Sequence, residues 1–412
     1  MKKRLVAIIF TVIFVITGCS PKIQGENLMQ GVEARTIDND CEVGVSGEDV
    51  LDFAVRLLQA NGVDEKNVLI SPMSVLCALG MVANGADEET LIQMEKVLGI
   101  PVTMLNNYIY GYRKVLPQSE KCKLNLANSI WFTTDERFTV DHNFLQLNAD
   151  YYGADMYTAA FDNSTLKDIN NWVKQETDGM IPEILDKIPD EAVMYLINAL
   201  AFEAEWANVY EKNQVREGTF ITEKGKMQTV DFMYNEEDYY IEDTNAKGFL
   251  KYYKDSNYAF VALLPNEGMT VSDYVATLDG EHLNELLSNR QAESVRTSIP
   301  KFEAEYSIEM SNILSEMEMP NAFDEEKADF SKLGSFEKGN IYIGRMLHKT
   351  YISVDDRGTK AGAATIVEMV GKSSAMVEEQ KTVYLNRPFV YMLVDCHTNV
   401  PFFIGTMMNV NE

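Results

Sequence analysis

From residue 48 onward the chain switches between two hydrophobic periods. Val50, Phe53, Ala54, Leu57 and Leu58 recur at helical spacing, and residues 67–70 then read as a short apolar strand ended by Ser71 and Pro72. Ser71 suits the cap of the next helix and Pro72 its first turn. That helix, 73–84, is apolar nearly all round and must be buried. Another starts near Asp87, carries Leu91, Met94 and Leu98, and stops at Gly99 and Pro101. Residues 124–132, 193–206 and 258–264 read as strands, and 166–177 and 271–287 as helices. The end of the chain reads as two apolar strands, 384–395 and 402–410, separated by His397, Thr398 and Asn399. Helices come first and strands dominate later without regular alternation, which predicts an α+β fold with mixed or antiparallel sheets rather than a doubly wound one. No repeat or low-complexity linker divides residues 48–412, so they are expected to form one large domain.

The N-terminus has a different pattern. Lys2, Lys3 and Arg4 precede an apolar run, 5–16, too short to span a bilayer comfortably, so residues 1–18 read as a signal peptide. Ile16-Thr17-Gly18-Cys19 resembles the bacterial lipobox, in which the Cys thiol is lipidated and becomes the mature N-terminus. Residues 19–47 follow with scattered glycines and little periodicity, as a flexible tether would. The expectation is an extracytoplasmic protein held on the bacterial cell surface through lipid on Cys19, with no other contact with the membrane.

Charge and composition narrow the function. A total of 36 basic against 63 acidic residues, net -27, excludes a phosphate-tracking surface and hence a nucleic-acid partner. The five cysteines show neither CxxC pairs nor Cys/His metal spacing; Cys77 and Cys396 lie in apolar runs and read as small core residues. GxSxG, HExxH, P-loop, GxGxxG and EF-hand signatures are all missing, and the four histidines fall in unrelated segments. No catalytic site, metal or cofactor is expected.

One segment fits no ordinary enzyme. Residues 355–381 join two strands with a stretch too long for a compact connection. At strand period Thr359, Ala361, Ala363, Thr365, Val367 and Met369 share a small or apolar face, while Lys360 and Glu368 fall on the other. Such a segment can enter the middle of a sheet, yet its Gly and Ala content forms strands poorly on its own.

The chain resembles the serpin family over essentially all of residues 48–412. The resemblance is carried by 67–99 (NVLISPMSVLCALGMVANGADEETLIQMEKVLG), 124–132, Asn170-Asn171-Trp172-Val173, Asn198 to Phe202 with Trp206, Ile299-Pro300-Lys301-Phe302, Asp329-Phe330-Ser331, Leu347-His348-Lys349 and 383–393 (VYLNRPFVYML), all in family order. It implies helices packed on large mixed and antiparallel sheets, with an exposed reactive-centre loop at about 356–381. Ser71, Ser74, Asn198 and His348 match the gate, or shutter, of the sheet that opens. Lys301 and Asp356 match the ion pair at its top, the breach, with Trp206 beneath; Asp replaces the family's usual Glu at 356, and its shorter side chain is expected to weaken the contact. The hinge, Asp356, Arg357, Gly358, Thr359, Lys360, Ala361, Gly362, Ala363, Ala364 and Thr365, departs from the family at Asp356, Arg357 and Lys360 but keeps its small residues.

The function implied is monomeric suicide inhibition of serine proteases by acyl-enzyme trapping and loop insertion. Sixteen residues counted from Asp356 place the bait bond at Lys372-Ser373, suited to trypsin-like enzymes. Counting back from Asn386 gives Met376-Val377, suited to elastase-like ones. The competing readings are a non-inhibitory serpin acting as a binding or chaperone module, and a surface lipoprotein enzyme on another fold.

Overall fold

The computed structural model describes residues 23–37, 45–63, 66–188, 194–337, 339–359 and 380–411. Cys19, Lys360 to Thr365, Lys372, Ser373, Met376 and Val377 lie outside them.

The helix Gly47–Ala60 opens with a capping box between Ser46 and Asp49 and buries Val50, Phe53, Ala54, Leu57 and Leu58 along one stripe. The helix Pro72–Ala83 is buried at every position, as its all-round apolar pattern requires; Ser71 caps it and Pro72 occupies its first turn. The helix Glu88–Leu98 ends at Gly99 in the left-handed region, φ 72°. The helix expected over 271–287 is two, Val271–Ala276 and Gly280–Ser288. Thr270 and Asp279 each start one by accepting from the backbone three residues on, and the second N-cap interrupts what the apolar spacing suggested was continuous.

Among the described residues the strands form an eight-stranded, a six-stranded, a four-stranded and a two-stranded sheet. In the large sheet the order runs Glu26–Asn27, Asp155–Ala159, Cys122–Thr133, Met194–Glu205, Gly358–Thr359, Arg345–Val354, Phe302–Glu309, with the eighth strand, Gln118–Ser119, pairing Cys122–Thr133 off this path. The helix Asn163–Glu176 covers one face through Ile169, Trp172 and Val173, packed on Ala127, Tyr195, Ile197 and Ala199. The segment expected as one strand over 384–395 is divided: Lys381–Tyr384 pairs in the four-stranded sheet, and Phe389–Asp395 lies inside the six-stranded one. Pro388, with no N–H to give a ladder, stands at the break. Cys77 and Cys122 are buried free thiols and Cys396 is half-buried.

The tether is a further correction. Residues 23–37 are docked rather than free. Glu26–Asn27 adds an edge rung to the large sheet, the Gln24 and Gly25 amides donate to the buried Asp168 carboxylate at 2.7 and 3.0 Å, and Arg35 forks onto buried Asp150. The partners lie more than a hundred residues away, so no local pattern announces them.

Candidate functional site

Ser71, Ser74, Asn198 and His348, the residues the resemblance matched to a gate, come together in the middle of the large sheet. Asn198 and His348 are direct partners across the seam where Met194–Glu205 and Arg345–Val354 pair in parallel, and Asn128 faces Asn198 from the other side. Ser71 and Ser74 reach them from the first turn of the buried helix behind. The Asn198 amide nitrogen donates to the Ser74 carbonyl oxygen at 2.7 Å and to Asn128 Oδ1 at 2.5 Å. Its oxygen accepts from the Ser74 hydroxyl and from His348 Nδ1, the latter at 3.0 Å. All four bonding positions of the amide are therefore used. His348 Nε2 accepts the Ser71 amide proton at 3.1 Å, so the ring is neutral with its proton on Nδ1. Burial pushes the His348 pKa down to about 3. Beside it the Thr350 hydroxyl donates to the Leu69 carbonyl at 2.7 Å. Sequence reasoning missed Asn128 and Thr350; the register of the strand pair is what brings them in.

The top of the seam is built on aromatics. Lys301 Nζ meets Asp356 Oδ1 at 2.5 Å, so the shorter aspartate makes the contact directly. The backbone supplies the missing reach: Tyr210 N donates to the Asp356 carbonyl at 2.9 Å and Trp206 N to that of Arg357 at 2.8 Å, drawing the turn inward. Burial works to raise the Asp356 carboxyl, but the hydrogen bond and charge of Lys301, with a backbone hydrogen bond and the charge of Arg357, together hold it below its usual value. Trp206 is fully buried, donates through Nε1 to the Asp355 carbonyl at 2.8 Å, and stacks on Tyr253 with ring centres 4.6 Å apart.

The hinge begins closer to the body than a free loop would. After Val354 the chain turns at once: Asp355 Oδ1 accepts from the amides of Arg357 and Gly358, and Asp355 N donates to the Gly358 carbonyl. Asp355-Asp356-Arg357-Gly358 is a turn signature present in the sequence but passed over. Gly358 and Thr359 then run back antiparallel to both neighbours, opposite Glu205 and Ala204 on one side, with Thr359 opposite Val354 on the other. A side-chain carbon at 358 would lie 1.9 Å from the Ala204 carbonyl oxygen, so only glycine passes there. Thr359 is buried, its hydroxyl 2.5 Å from that of Tyr253. Below this rung the two strands close on each other, from Thr350 opposite Leu200 down to Arg345 opposite Tyr195.

The comparisons with known proteins agree with this geometry. Residues 48–410 match the family model described as Serpin (serine protease inhibitor). A serpin-like protein of Methanosarcina acetivorans is 28% identical over 86% of this chain and 84% of its own length. Serpin B11 of Homo sapiens is 27% identical over 85% and 95%. The crystal structure of a thermophilic serpin, tengpin, in its native state is 48% identical, with a TM-score of 0.89 over 94% of this chain and all of that one. Its latent state gives a TM-score of 0.79.

Proposed function

We propose, starting from the fact that this chain belongs to the serpin family, that it is a suicide inhibitor of serine proteases which traps its target by inserting the cut loop into the large sheet. Membership brings a function of the protease-inhibitor type; the target class and the trapping step are our reading. The observation that supports it most is the wedge at the top of the seam. Gly358–Thr359 already separates two strands that pair in parallel below, and each further residue entering there exchanges a slanted parallel ladder for two antiparallel ones.

In this mechanism the protease's serine Oγ attacks the bait carbonyl, the amine of the following residue leaves, and an acyl-enzyme joins protease to hinge. Insertion of about sixteen residues at ~3.3 Å each moves the tethered enzyme ~50 Å, distorting its active site before water can release it. A protease panel followed by denaturing gels tests this. A covalent complex that survives denaturation is expected with at least one trypsin-like or elastase-like enzyme. If every susceptible protease cuts the loop and leaves fully active, the non-inhibitory binding or chaperone reading takes its place.

We place the bait bond at Lys372-Ser373, because insertion must be long enough to carry the protease clear and the polar residues after it tolerate extra length. A released fragment beginning at Ser373 supports this; one beginning at Val377 moves the bond to Met376-Val377. We also propose that lipid on Cys19 holds the protein, as a monomer, on the outer face of the cell membrane. Mass spectrometry showing an unmodified Cys19 contradicts the anchor.

A further inference from the structure

Phe249, Lys251 and Tyr253 alternate onto one face of the strand Ala246–Tyr252 and its continuation, inside the core that contains Trp206 and Phe202. The middle position calls for an apolar residue. Instead it holds the one buried lysine or arginine among the described residues, its side chain 1% exposed. A charge in such a place costs stability unless every contact is satisfied, and a breach of the local pattern of this kind points to a task.

The contacts of Lys251 show what the task is. Its ammonium donates to Glu237 Oε1 at 2.7 Å and to the Asn208 carbonyl at 3.2 Å, and it lies over the rings of Tyr210 at 4.3 Å and Trp206 at 5.3 Å. Glu237, at the end of the strand Met227–Glu237, also accepts from Asn235, which fixes its carboxylate. Asn208 stands midway between Trp206 and Tyr210, whose backbone and indole N–H groups hold the carbonyls of Asp355, Arg357 and Asp356. Residues 206–210 prolong the strand Met194–Glu205, and 355–357 form the turn from Arg345–Val354 into Gly358–Thr359, so these three bonds clasp that turn to 206–210 at the top of the seam. Lys251 thus reaches the 206–210 segment through its backbone and two of its ring faces, while Glu237 anchors the ammonium from outside it.

We propose that Lys251, held by Glu237, is the pin of this clasp: a positioning residue that sets how slowly the uncleaved loop enters the sheet. The proposal rests on the loop-insertion reading above. With the pin in place, 206–210 and the turn clasped to it cannot shift, so the strands below the first rung must part against a fixed top. Without it the segment yields and the barrier falls, while the final inserted state is unchanged.

The test uses the full, uncleaved protein as wild type, Lys251→Met, and the double variant Lys251→Met with Glu237→Gln, which leaves no unpaired buried charge if the single variant folds poorly. Each is incubated at a warm fixed temperature, and the fraction converted to a heat-resistant monomer is followed by melting and native gels. Both variants are expected to convert roughly tenfold faster, the factor corresponding to loss of one charge-assisted hydrogen bond from the barrier. Conversion of the double variant at the wild-type rate overturns the proposal. So does faster loss into aggregates with no heat-resistant monomer, which is what a merely structural lysine would give. If wild type cut in its loop gains no heat resistance, the insertion reading fails and takes the pin with it; that failure is visible without either variant.

Discussion

The gate carries a titration that can be turned into a measurement. His348 is neutral when closed because its Nε2 accepts the Ser71 amide proton and no water reaches it; protonation would set one N–H against another. Its pKa is held near 3 in the closed sheet against an ordinary value of 6.5. An opened gate returns the ring to water, so below about pH 6.5 the open form takes a proton that the closed form refuses. The closing free energy is therefore fully present above that pH and is lost as pH falls toward about 3, at about 1.4 kcal/mol per unit. At pH 5 the loss is about 2 kcal/mol, or roughly thirtyfold more frequent opening. Hydrogen exchange of the Asn198 and Thr350 amides at pH 7 and pH 5, corrected for intrinsic rates, reads this directly. The comparison is His348→Gln, which cannot titrate, so that carboxylate effects common to both proteins cancel. The excess pH dependence should appear in wild type alone. Equal dependence in the two proteins would refute the claim that His348 titration governs the seam.

Three further outcomes are expected. Gly358→Ala drives a carbon against the Ala204 carbonyl, so the rung should leave the sheet at a cost of about 1–3 kcal/mol, seen as faster proteolysis of the hinge and a lower melting temperature. Thr359→Arg puts a guanidinium on the face where Thr359 is buried, costing several kcal/mol; covalent complex should give way to simple loop cleavage, and an unchanged complex yield would argue against insertion. Asp168→Ala removes the acceptor of the Gln24 and Gly25 amides, so residues 24–28 should lose exchange protection, with about 1–3 kcal/mol lost locally, while the gate keeps its own.

The helix Pro72–Ala83 was legible because an all-round apolar surface has only one solution, burial, and because Ser71 and Pro72 mark its start locally. The split of 271–287 was harder: apolar residues recur on both sides of Leu278, and the capping role of Asp279 separates the halves. At the gate, Ser71, Ser74, Asn198 and His348 were identified through the family resemblance, not through spacing. Asn128 was missed because its role depends on being opposite Asn198 across a strand pair, and cross-strand register is set by chain elements seventy residues apart.

By itself the sequence determined the fold class, most element positions, the small-residue face of the hinge and the absence of a recognisable catalytic signature, since each follows from local periodicity, capping and side-chain chemistry. The tertiary structure decided that the segment after residue 22 is docked, that Asp356 reaches Lys301, that the hinge starts as a rung latched to Tyr253, and that Lys251 is buried under the clasp. Each of these depends on a partner distant in the chain, and a buried charge or backbone amide is satisfied only by groups that folding brings to it.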